Sequence, residues 1–402
     1  MSLRPACDRI PLRPAGPKVD LLQVLGPART VEDIRQVLGD TELGRWRKNP
    51  KLATSLLSSL AKSALADVAS QVLSFMRTGN VDVDSFHFSA AISACARGGQ
   101  WQLALSLVEQ MSLMRVAADA VSCNAAISVC EKGGHWALAL GVLHLMSQVL
   151  CLTQTGVSCN AAISAAQKGG QWPLALHLLR HMPAMRLAAD EIGHNAAISA
   201  CSTSGQWRLA VSILWRMFDL ETGPDTVSYS AAISAIEKGG NWRLAHSLLT
   251  QMPEARVLVD KIACSAAISS FSKGGQWQLA LELLHNMPAM SIRPDVICYN
   301  AAISACEKAG KWNLALVLLQ EIVSSQLKPN RISYNAAISA CGKGGQWTLA
   351  LGVLRRMPEV KVAPDEISCN AAISACEKAG QWRVAVYLLR GMCEARLAVS
   401  GI

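Results

Sequence analysis

Short groups of apolar residues alternate with polar residues along most of the chain, and the same pattern returns about every 35 residues. One copy, CNAAISACEKAGQWRVAVYLL, begins at Cys369. The apolar residues of its first half follow the i, i+3, i+4, i+7 spacing of one helix face: Cys369, Ala372, Ile373 and Cys376. Gly380 follows the terminal Lys378, which is typical of a helix C-cap. The pattern therefore predicts an amphipathic helix that ends at this glycine.

A second apolar face follows directly after the glycine. It begins near Gln381, and its members are Trp382, Ala385, Val386 and Leu389. Each helix thus has one apolar face, and a single pair of helices cannot bury both faces. Stacked copies of the pair solve this problem because they share a continuous core. We therefore predict an all-α fold, a right-handed superhelical α-solenoid of helix-turn-helix repeats.

Tryptophan marks the repeat most clearly, because it stands near the start of nearly every predicted second helix. Successive members are 35 residues apart, with a single step of 36: Trp101, Trp136, Trp172, Trp207, Trp242, Trp277, Trp312, Trp347 and Trp382. The spacing defines ten repeats, numbered 1 to 10 below: 50–84, 85–119, 120–155, 156–190, 191–225, 226–260, 261–295, 296–330, 331–365 and 366–400. Repeat 1 lacks the tryptophan but keeps Met76 and Asp84 at the expected places. A period of this size indicates one solenoid array.

The residues before repeat 1 differ from the repeats in composition. Residues 19–49 are predicted to form an N-terminal helical cap, which would cover the first repeat. Residues 1–18 carry four basic side chains and four prolines against a single acid, Asp8. They lack the apolar segment of a secretory signal, so we expect either a disordered leader or an organellar transit peptide.

Composition agrees with closely packed helices. Of the 402 residues, 51% are hydrophobic but only 5% are aromatic, and the formal net charge is +9. No apolar run is long enough to cross a bilayer, so we expect a soluble chain with no membrane partner. The cysteines form no C-x-x-C pair, and most of them recur at two places of the repeat. We interpret them as small core residues in a reducing compartment.

A basic residue ends the predicted first helix in most repeats: Arg97, Lys132, Lys168, Lys238, Lys273, Lys308, Lys343 and Lys378. Asn370, Ser374 and Lys378 are four residues apart, which predicts one exposed stripe on this helix. One cation per repeat along a concave groove suits a polyanion, so we expect these residues to face the phosphates of a single-stranded nucleic acid. The alternative is that they only complement helix dipoles and keep the surface hydrated.

The repeat resembles the pentatricopeptide repeat family. The resemblance depends on the 35-residue two-helix unit, on the first helix with Asn and a terminal Lys-Gly-Gly or Lys-Ala-Gly, and on the endings RPD at 293–295, APD at 363–365 and GPD at 223–225. It extends over residues 50–400. The resemblance implies binding of single-stranded RNA, with one base per repeat read by a few side chains.

In this family, the fifth and last residues of a repeat read the base edge, and the second residue clamps the base. Carried over by position, the reading pairs are Thr54/Asp84, Ser89/Asp119, Asn124/Thr155, Asn160/Asp190, Asn195/Asp225, Ser230/Asp260, Ser265/Asp295, Asn300/Asn330, Asn335/Asp365 and Asn370/Ser400. The clamping residues are Val121, Val157, Ile192, Val227, Ile262, Ile297, Ile332 and Ile367, with Phe86 at the same place in repeat 2. The family's code then implies a target close to 5′-GGYUUGGCUC-3′. Repeat 3 is one residue longer than the others, so its pairing depends on where the extra residue lies.

The resemblance also implies a cellular role. We expect a monomer that acts on organellar RNA, in a plastid or a mitochondrion, by affecting processing, stability or translation. It would do so directly or by recruiting an RNA-processing enzyme. The alternative is a protein-binding helical-repeat scaffold that uses the same groove, as tetratricopeptide arrays do.

The sequence offers few candidates for catalytic chemistry. His135 and His194 stand at places that other copies fill with Gln, Tyr or Cys, so we interpret them as substitutions within the repeat. Cys123 and Cys130 are seven residues apart on one helix face, but sister copies place Tyr, Ala, Ile or Phe there. That exchange fits packing and does not fit metal binding. We expect no enzymatic activity, no metal site and no cofactor.

Overall fold

The computed structural model describes residues 30–114, 116, 118–148, 152–220 and 222–399. Every regular element within these ranges is a helix, which confirms the all-α prediction. The contacts divide the chain into two compact units, one extending to Ala189 and one beginning at Asp190. The first unit contains repeats 1 to 4 up to Ala189, and the second contains repeats 5 to 10.

The first unit begins with a helix that precedes the repeats. This helix, Val31–Lys48, is kinked at Gly39, where φ is 68°. It packs on repeat 1, where the ring centroids of Trp46 and Phe75 are 6.3 Å apart. The repeats follow as helix pairs: Lys51–Lys62 with Ala66–Thr78, Ser85–Gly98 with Trp101–Leu113, Ala120–Lys132 with Trp136–Gln148, and Gly156–Lys168 with Trp172–His181. A short 3-10 helix, Pro183–Met185, closes the unit. The predicted leader, 1–18, lies outside the described residues.

The second unit contains six helix pairs. They are Glu191–Thr203 with Trp207–Asp219, Thr226–Gly239 with Trp242–Glu254, Lys261–Lys273 with Trp277–Asn286, Val296–Lys308 with Trp312–Ser324, Arg331–Lys343 with Trp347–Glu359, and Glu366–Lys378 with Trp382–Val399. Within each unit, first helices contact the first helices of the next repeat extensively, whereas second helices contact one another little. Within each unit the first helices therefore form a continuous row, which confirms the helix-turn-helix solenoid prediction.

From repeat 2 onward, each first helix begins at a polar N-cap contributed by the last residue of the preceding repeat. The caps are Asp84, Asp119, Thr155, Asp190, Asp225, Asp260, Asp295, Asn330 and Asp365. In each case the side chain accepts a hydrogen bond from the backbone N–H of the third helical residue. Such a cap stabilises a helix by about 0.5–2 kcal/mol. The position predicted to read a base therefore also starts a helix.

The turn between the two helices explains the recurring Gly-Gly sequence. The second glycine takes the left-handed conformation, as at Gly170 with φ 69° and Gly240 with φ 72°. In repeats 4, 6, 7 and 9 the first glycine lies under the tryptophan of the preceding repeat. A Cβ added to Gly169 would lie only 2.2 Å from Cδ1 of Trp136. The structure thus confirms the C-cap and shows that the other glycine makes room for an indole ring.

The second helix of repeat 10 departs from the predicted core face. Ala385 is buried, but Trp382, Val386 and Leu389 are 65%, 56% and 47% exposed. In the earlier repeats the corresponding tryptophans are half-buried, as at Trp347. The described residues contain no further first helix after repeat 10, so nothing in the described chain covers this face.

Candidate nucleic-acid interface

The structure brings most of the predicted reading pairs together. In repeats 1 to 3 and 5 to 9, the last residue caps the next first helix, and that helix packs beside the fifth residue of the same repeat. Hydrogen bonds join six pairs: Ser89–Asp119 at 3.1 Å, Asn124–Thr155 at 3.3 Å, Asn195–Asp225 at 3.1 Å, Ser230–Asp260 at 2.7 Å, Asn300–Asn330 at 3.1 Å and Asn335–Asp365 at 3.2 Å. In each of them the fifth residue donates. The extra residue of repeat 3 therefore does not separate its pair. Base reading by these neighbours stays a prediction.

Repeat 7 is the exception among these neighbours. Ser265 donates its hydroxyl hydrogen to the Ile262 carbonyl at 3.0 Å. Asp295 instead lies 3.1 Å from the ammonium of Lys261. The fifth and last residues of repeat 7 are thus engaged with different partners, although the sequence predicts the same pair as in repeat 6.

Three further predicted pairs differ from the six. In repeat 1, Thr54 Oγ1 lies 3.2 Å from Nε2 of His87, whose Nδ1 lies 2.5 Å from Asp84 Oδ1, so a buried imidazole stands between the two predicted residues. The members of Asn160/Asp190 belong to different units. Ser400, the predicted partner of Asn370, lies outside the described residues.

A third side chain, which the sequence analysis missed, lies beneath these pairs. It is the third residue of the following repeat, and five copies are fully buried serines: Ser122, Ser158, Ser228, Ser333 and Ser368. Ser122 Oγ lies 2.6 Å from the hydroxyl of Ser89. The signal was visible, because serine recurs two residues before the reading position in VSCN, VSYS, ISYN and ISCN. It resembled an ordinary small helix residue, so its contact across repeats could not be inferred.

The exposed stripe predicted on the first helix of repeat 10 does not extend to the reading asparagines of the earlier repeats. Asn300 is only 9% exposed. Asn124, Asn195 and Asn335 are half-buried. The reason is that the amide donates to the cap of the next helix and is covered by it. Asn370 is exposed, as predicted, and its predicted partner lies outside the described chain.

Hydrogen bonds also set the charge state of the capping carboxylates. Burial by itself would raise the pKa of Asp225, but hydrogen bonds from Ser228 and Asn195 outweigh it and hold the pKa below its usual value. The pKa of Asp365 is lowered in the same way by Ser368 and Asn335. These caps are therefore anionic acceptors at neutral pH.

The predicted clamping residues are exposed apolar side chains. They stand one helical turn before the fifth residue and share its face. Their exposure lies between 54% and 64%: Val121, Val157, Ile192, Val227, Ile262, Ile297, Ile332 and Ile367. Phe86 at the same place is 66% exposed. Base clamping by these exposed side chains stays a prediction.

The predicted phosphate-facing lysines are bonded to the preceding repeat. Lys132 donates to the Ala96 carbonyl at 2.6 Å, and Lys238 donates to the Thr203 carbonyl at 3.2 Å. Lys308 reaches the Ser272 carbonyl in the same way. Each ammonium thus meets the C-terminal end of a first helix, where the helix dipole favours a cation. This is the arrangement that the alternative interpretation of these lysines describes.

Three more lysines of this series form ion pairs with glutamates of the preceding repeat. The pairs are Lys168–Glu131 at 3.2 Å, Lys273–Glu237 at 3.2 Å and Lys343–Glu307 at 3.0 Å. Their ammonium charges are therefore partly balanced within the protein. Arg97 and Lys378 are exposed. The phosphate-facing role stays a prediction for the whole series.

Other chemistry finds little support in the part of the chain that the structure describes. No group of three or more His, Cys, Asp or Glu side chains there could hold a metal ion. No described helix is long and apolar enough to cross a membrane. The described cysteines are free thiols, and burial raises the pKa of Cys95 and Cys264 to about 12. Such thiols are poor nucleophiles and pack as small apolar side chains.

Comparison with solved structures shows the fold. A crystal structure of the pentatricopeptide repeat protein PPR10 in complex with an 18-nucleotide psaJ RNA element matches with a TM-score of 0.68 and 20% identity. The match covers 93% of this chain and 53% of that chain, so this chain spans about half the length of PPR10. A structure of PPR10 from maize matches with a TM-score of 0.40 and 16% identity, over 95% of this chain and 68% of that chain. No curated protein matches the sequence significantly.

Family models match much of the repeat array. A pentatricopeptide repeat domain matches residues 282–344, and a pentatricopeptide repeat-containing protein matches residues 52–132. The single repeat matches four times, at 227–257, 262–292, 332–362 and 367–397. Each of these four matches begins at the second residue of a repeat as defined from the tryptophans. Together the matches span more than half of the chain, which therefore belongs to the pentatricopeptide repeat family.

Proposed function

We propose that this protein binds a segment of single-stranded RNA and selects its bases one repeat at a time. The observation that carries the proposal is the regular hydrogen-bonded pair of fifth and last residues, beside an exposed Val or Ile. The second residues of two neighbouring repeats can hold a base between them by apolar contact. The polar pair can then form hydrogen bonds with the edge of that base. PPR10, which has the same fold, is described in complex with RNA.

The pairs offer distinct hydrogen-bonding groups to a base. In repeats 5 and 9 an asparagine N–H lies beside a carboxylate, and in repeats 2 and 6 a serine hydroxyl does so. Asparagine is the larger group and can both donate and accept, whereas serine leaves more room. We therefore propose the target 5′-GGYUUGGCUC-3′, with uracil opposite Asn/Asp and guanine opposite Ser/Asp.

The structure supports some letters of this target better than others. The Asn124–Thr155 hydrogen bond supports a pyrimidine opposite repeat 3. In repeat 7, Ser265 and Asp295 bond to different partners, so the seventh base of the target is the least constrained. In repeat 1 the hydroxyl of Thr54 lies beside His87, so this repeat lacks the direct contact between fifth and last residues.

Affinity and biological role follow from the same surface. When RNA binds, the lysines at the ends of the first helices would exchange contacts with carbonyls and glutamates for contacts with phosphates. We further propose that the protein has no catalytic activity of its own. It would act as a monomer in organellar RNA metabolism, by protecting or remodelling its target or by recruiting a processing enzyme.

A binding assay tests the proposal. The full chain is titrated against the fluorescently labelled ten-mer and against its complement at about 150 mM salt, where non-specific binding is weak. We expect at least tenfold tighter binding of the ten-mer. Equal affinity for both strands would contradict base selection, and binding of neither would contradict RNA binding and favour a protein-binding scaffold.

A matched pair of variants locates the RNA surface. Asn300→Ala removes a reading amide, whereas Asn313→Ala removes an exposed amide from the second helix of the same repeat. Asn313 accepts a hydrogen bond only from the neighbouring Leu314 backbone in its own helix. We expect N300A to weaken binding of the ten-mer about tenfold and N313A to leave it unchanged.

A further inference from the structure

We infer that the third residue of a repeat is a positioning residue for the preceding repeat's reading pair, and that Ser228 and Ser333 hold their asparagines with an N–H toward the base. The inference rests on the proposed function. Both serines are fully buried, so neither can touch RNA itself. They can act only through the asparagines that they contact.

The hydrogen bonds around Asn195 determine which group of its amide faces a base. A carboxylate only accepts hydrogen bonds, so Asp225 turns Nδ2 of Asn195 toward itself, at 3.1 Å. The amide oxygen then faces Ser228, whose Oγ lies 2.5 Å away and donates to it. One N–H and the oxygen are thereby used. The second N–H of the amide is the group left for a base.

Repeat 8 has the same arrangement with a different cap. Asn300 donates from Nδ2 to Asn330 Oδ1 at 3.1 Å. Its own Oδ1 accepts from Ser333, whose Oγ lies 2.5 Å away. The geometry therefore recurs in two separate repeats, although one cap is a carboxylate and the other an amide.

The chain also contains reading pairs without this contact. Ser368 donates instead to the backbone carbonyl of Asp365, at 2.8 Å, and Asn335 Oδ1 is buried with no hydrogen-bond partner. In repeat 6, the residue below Ser230 is Ala263, which has no hydroxyl. The contact is thus a property of particular repeats.

A fixed N–H discriminates between the two pyrimidines. Uracil presents an acceptor, O4, at the place where cytosine presents its N4 amino group. An amide held with N–H outward therefore fits uracil, and one that can rotate also offers Oδ1 to cytosine. In repeat 8 the fixed amide of Asn300 favours uracil as the eighth base, where the family's code implies cytosine. We expect the uracil opposite Asn195 to be selected more sharply than the uracil opposite Asn335, although both pairs are Asn/Asp.

The test measures the ratio of Kd values for two ten-mers that carry uracil or cytosine at the fifth base. In Ser228→Ala we expect the preference for uracil to fall about tenfold, as expected for a discriminating hydrogen bond worth about 1–3 kcal/mol. Ser228→Cys keeps a weak donor and should give an intermediate ratio. Ala263 and Cys298 occupy this place in other repeats, so both variants suit the packing. Ser212→Ala, an exposed hydroxyl on the second helix of repeat 5, should keep the wild-type ratio.

The outcomes separate this inference from the proposed function. A purely structural serine would lower the affinity for both ten-mers equally, and an unchanged ratio in S228A would overturn the inference while RNA binding stands. Wild-type protein that binds neither ten-mer would overturn the proposed function and this inference with it. A ratio that falls in S228A, follows the order wild type, Cys, Ala, and is unchanged in S212A supports the inference.

Discussion

Repeats 5 and 9 present the same three residue types in different hydrogen-bonding states. Each has an asparagine, a capping aspartate and a buried serine below them. Ser228 lies 2.5 Å from the amide oxygen of Asn195, whereas Ser368 donates to the carbonyl of its own cap and leaves the oxygen of Asn335 without a partner. The residue types alone therefore do not determine how a reading pair is held.

The difference arises because a serine hydroxyl carries one hydrogen and has several acceptors within reach. Ser228 Oγ is also 2.8 Å from Asp225 Oδ1, so helix capping and amide positioning compete for the same group. A net hydrogen bond is worth about 0.5–1.5 kcal/mol. The states of the two repeats thus differ by about the free energy of one hydrogen bond.

Removal of the capping aspartates should have the largest effect on the free energy of unfolding. The size of this effect should differ between repeats 5 and 9. Asp225→Ala deletes a cap and leaves Asn195 without its acceptor, so we expect the free energy of unfolding to fall by about 2–3 kcal/mol. Asp365→Ala should cost about 1–2 kcal/mol, because Ser368 keeps a carbonyl acceptor. Urea unfolding followed by circular dichroism measures both.

The matched control is Asp225→Asn. Asn330 already caps a first helix and accepts from an asparagine in repeat 8, so this change should cost less than about 0.5 kcal/mol. Equal losses for D225A and D225N would show that the charge, and not the hydrogen-bond acceptor, is what stabilises the site.

Replacement of the reading asparagines by serine should change the free energy of unfolding in opposite directions in the two repeats. Asn335→Ser removes a buried oxygen that has no partner, and we expect the unfolding free energy to rise by about 1 kcal/mol. Asn195→Ser removes an amide whose oxygen and one N–H are hydrogen-bonded, and should cost about 1 kcal/mol. Ser230, which donates to Asp260 at 2.7 Å, shows that serine fits this place. A fall of the same size in both variants would contradict the difference between the repeats.

Acid should give the smallest and most uniform effect. The pKa values of Asp225, Asp295 and Asp365 are lowered in the folded protein. Their contribution to stability is therefore present above the unfolded-state pKa near 4 and is lost as the pH falls through the folded values. We expect the melting temperature to drop below about pH 4, and to drop less steeply in Asp365→Asn. An identical pH dependence in that variant would contradict the role assigned to the cap.

The fold was predictable because it depends on periodicity and spacing, and the family's positions predicted which residues lie close together. The tryptophan steps gave the repeats, and the family's positions placed Asn195 next to Asp225. The third residue was missed because a lone serine at an ordinary helix position gives no sign of a contact across repeats. The lysine contacts and the burial of Asn300 depend on how the next first helix packs, which the pattern within one repeat does not contain.

The most direct test of the central claim is a change of base preference in one repeat. Asn195→Ser converts the Asn/Asp pair of repeat 5 into the Ser/Asp pair that repeat 6 carries naturally. Fluorescence anisotropy would compare ten-mers with uracil or guanine at the fifth base. We predict that the wild-type protein binds the uracil ten-mer about tenfold more tightly than the guanine ten-mer, and that N195S binds the guanine ten-mer about tenfold more tightly. The preference at the ninth base should be unchanged. An unaltered preference at the fifth base, with RNA binding intact, would contradict the claim that the fifth and last residues of each repeat read one base.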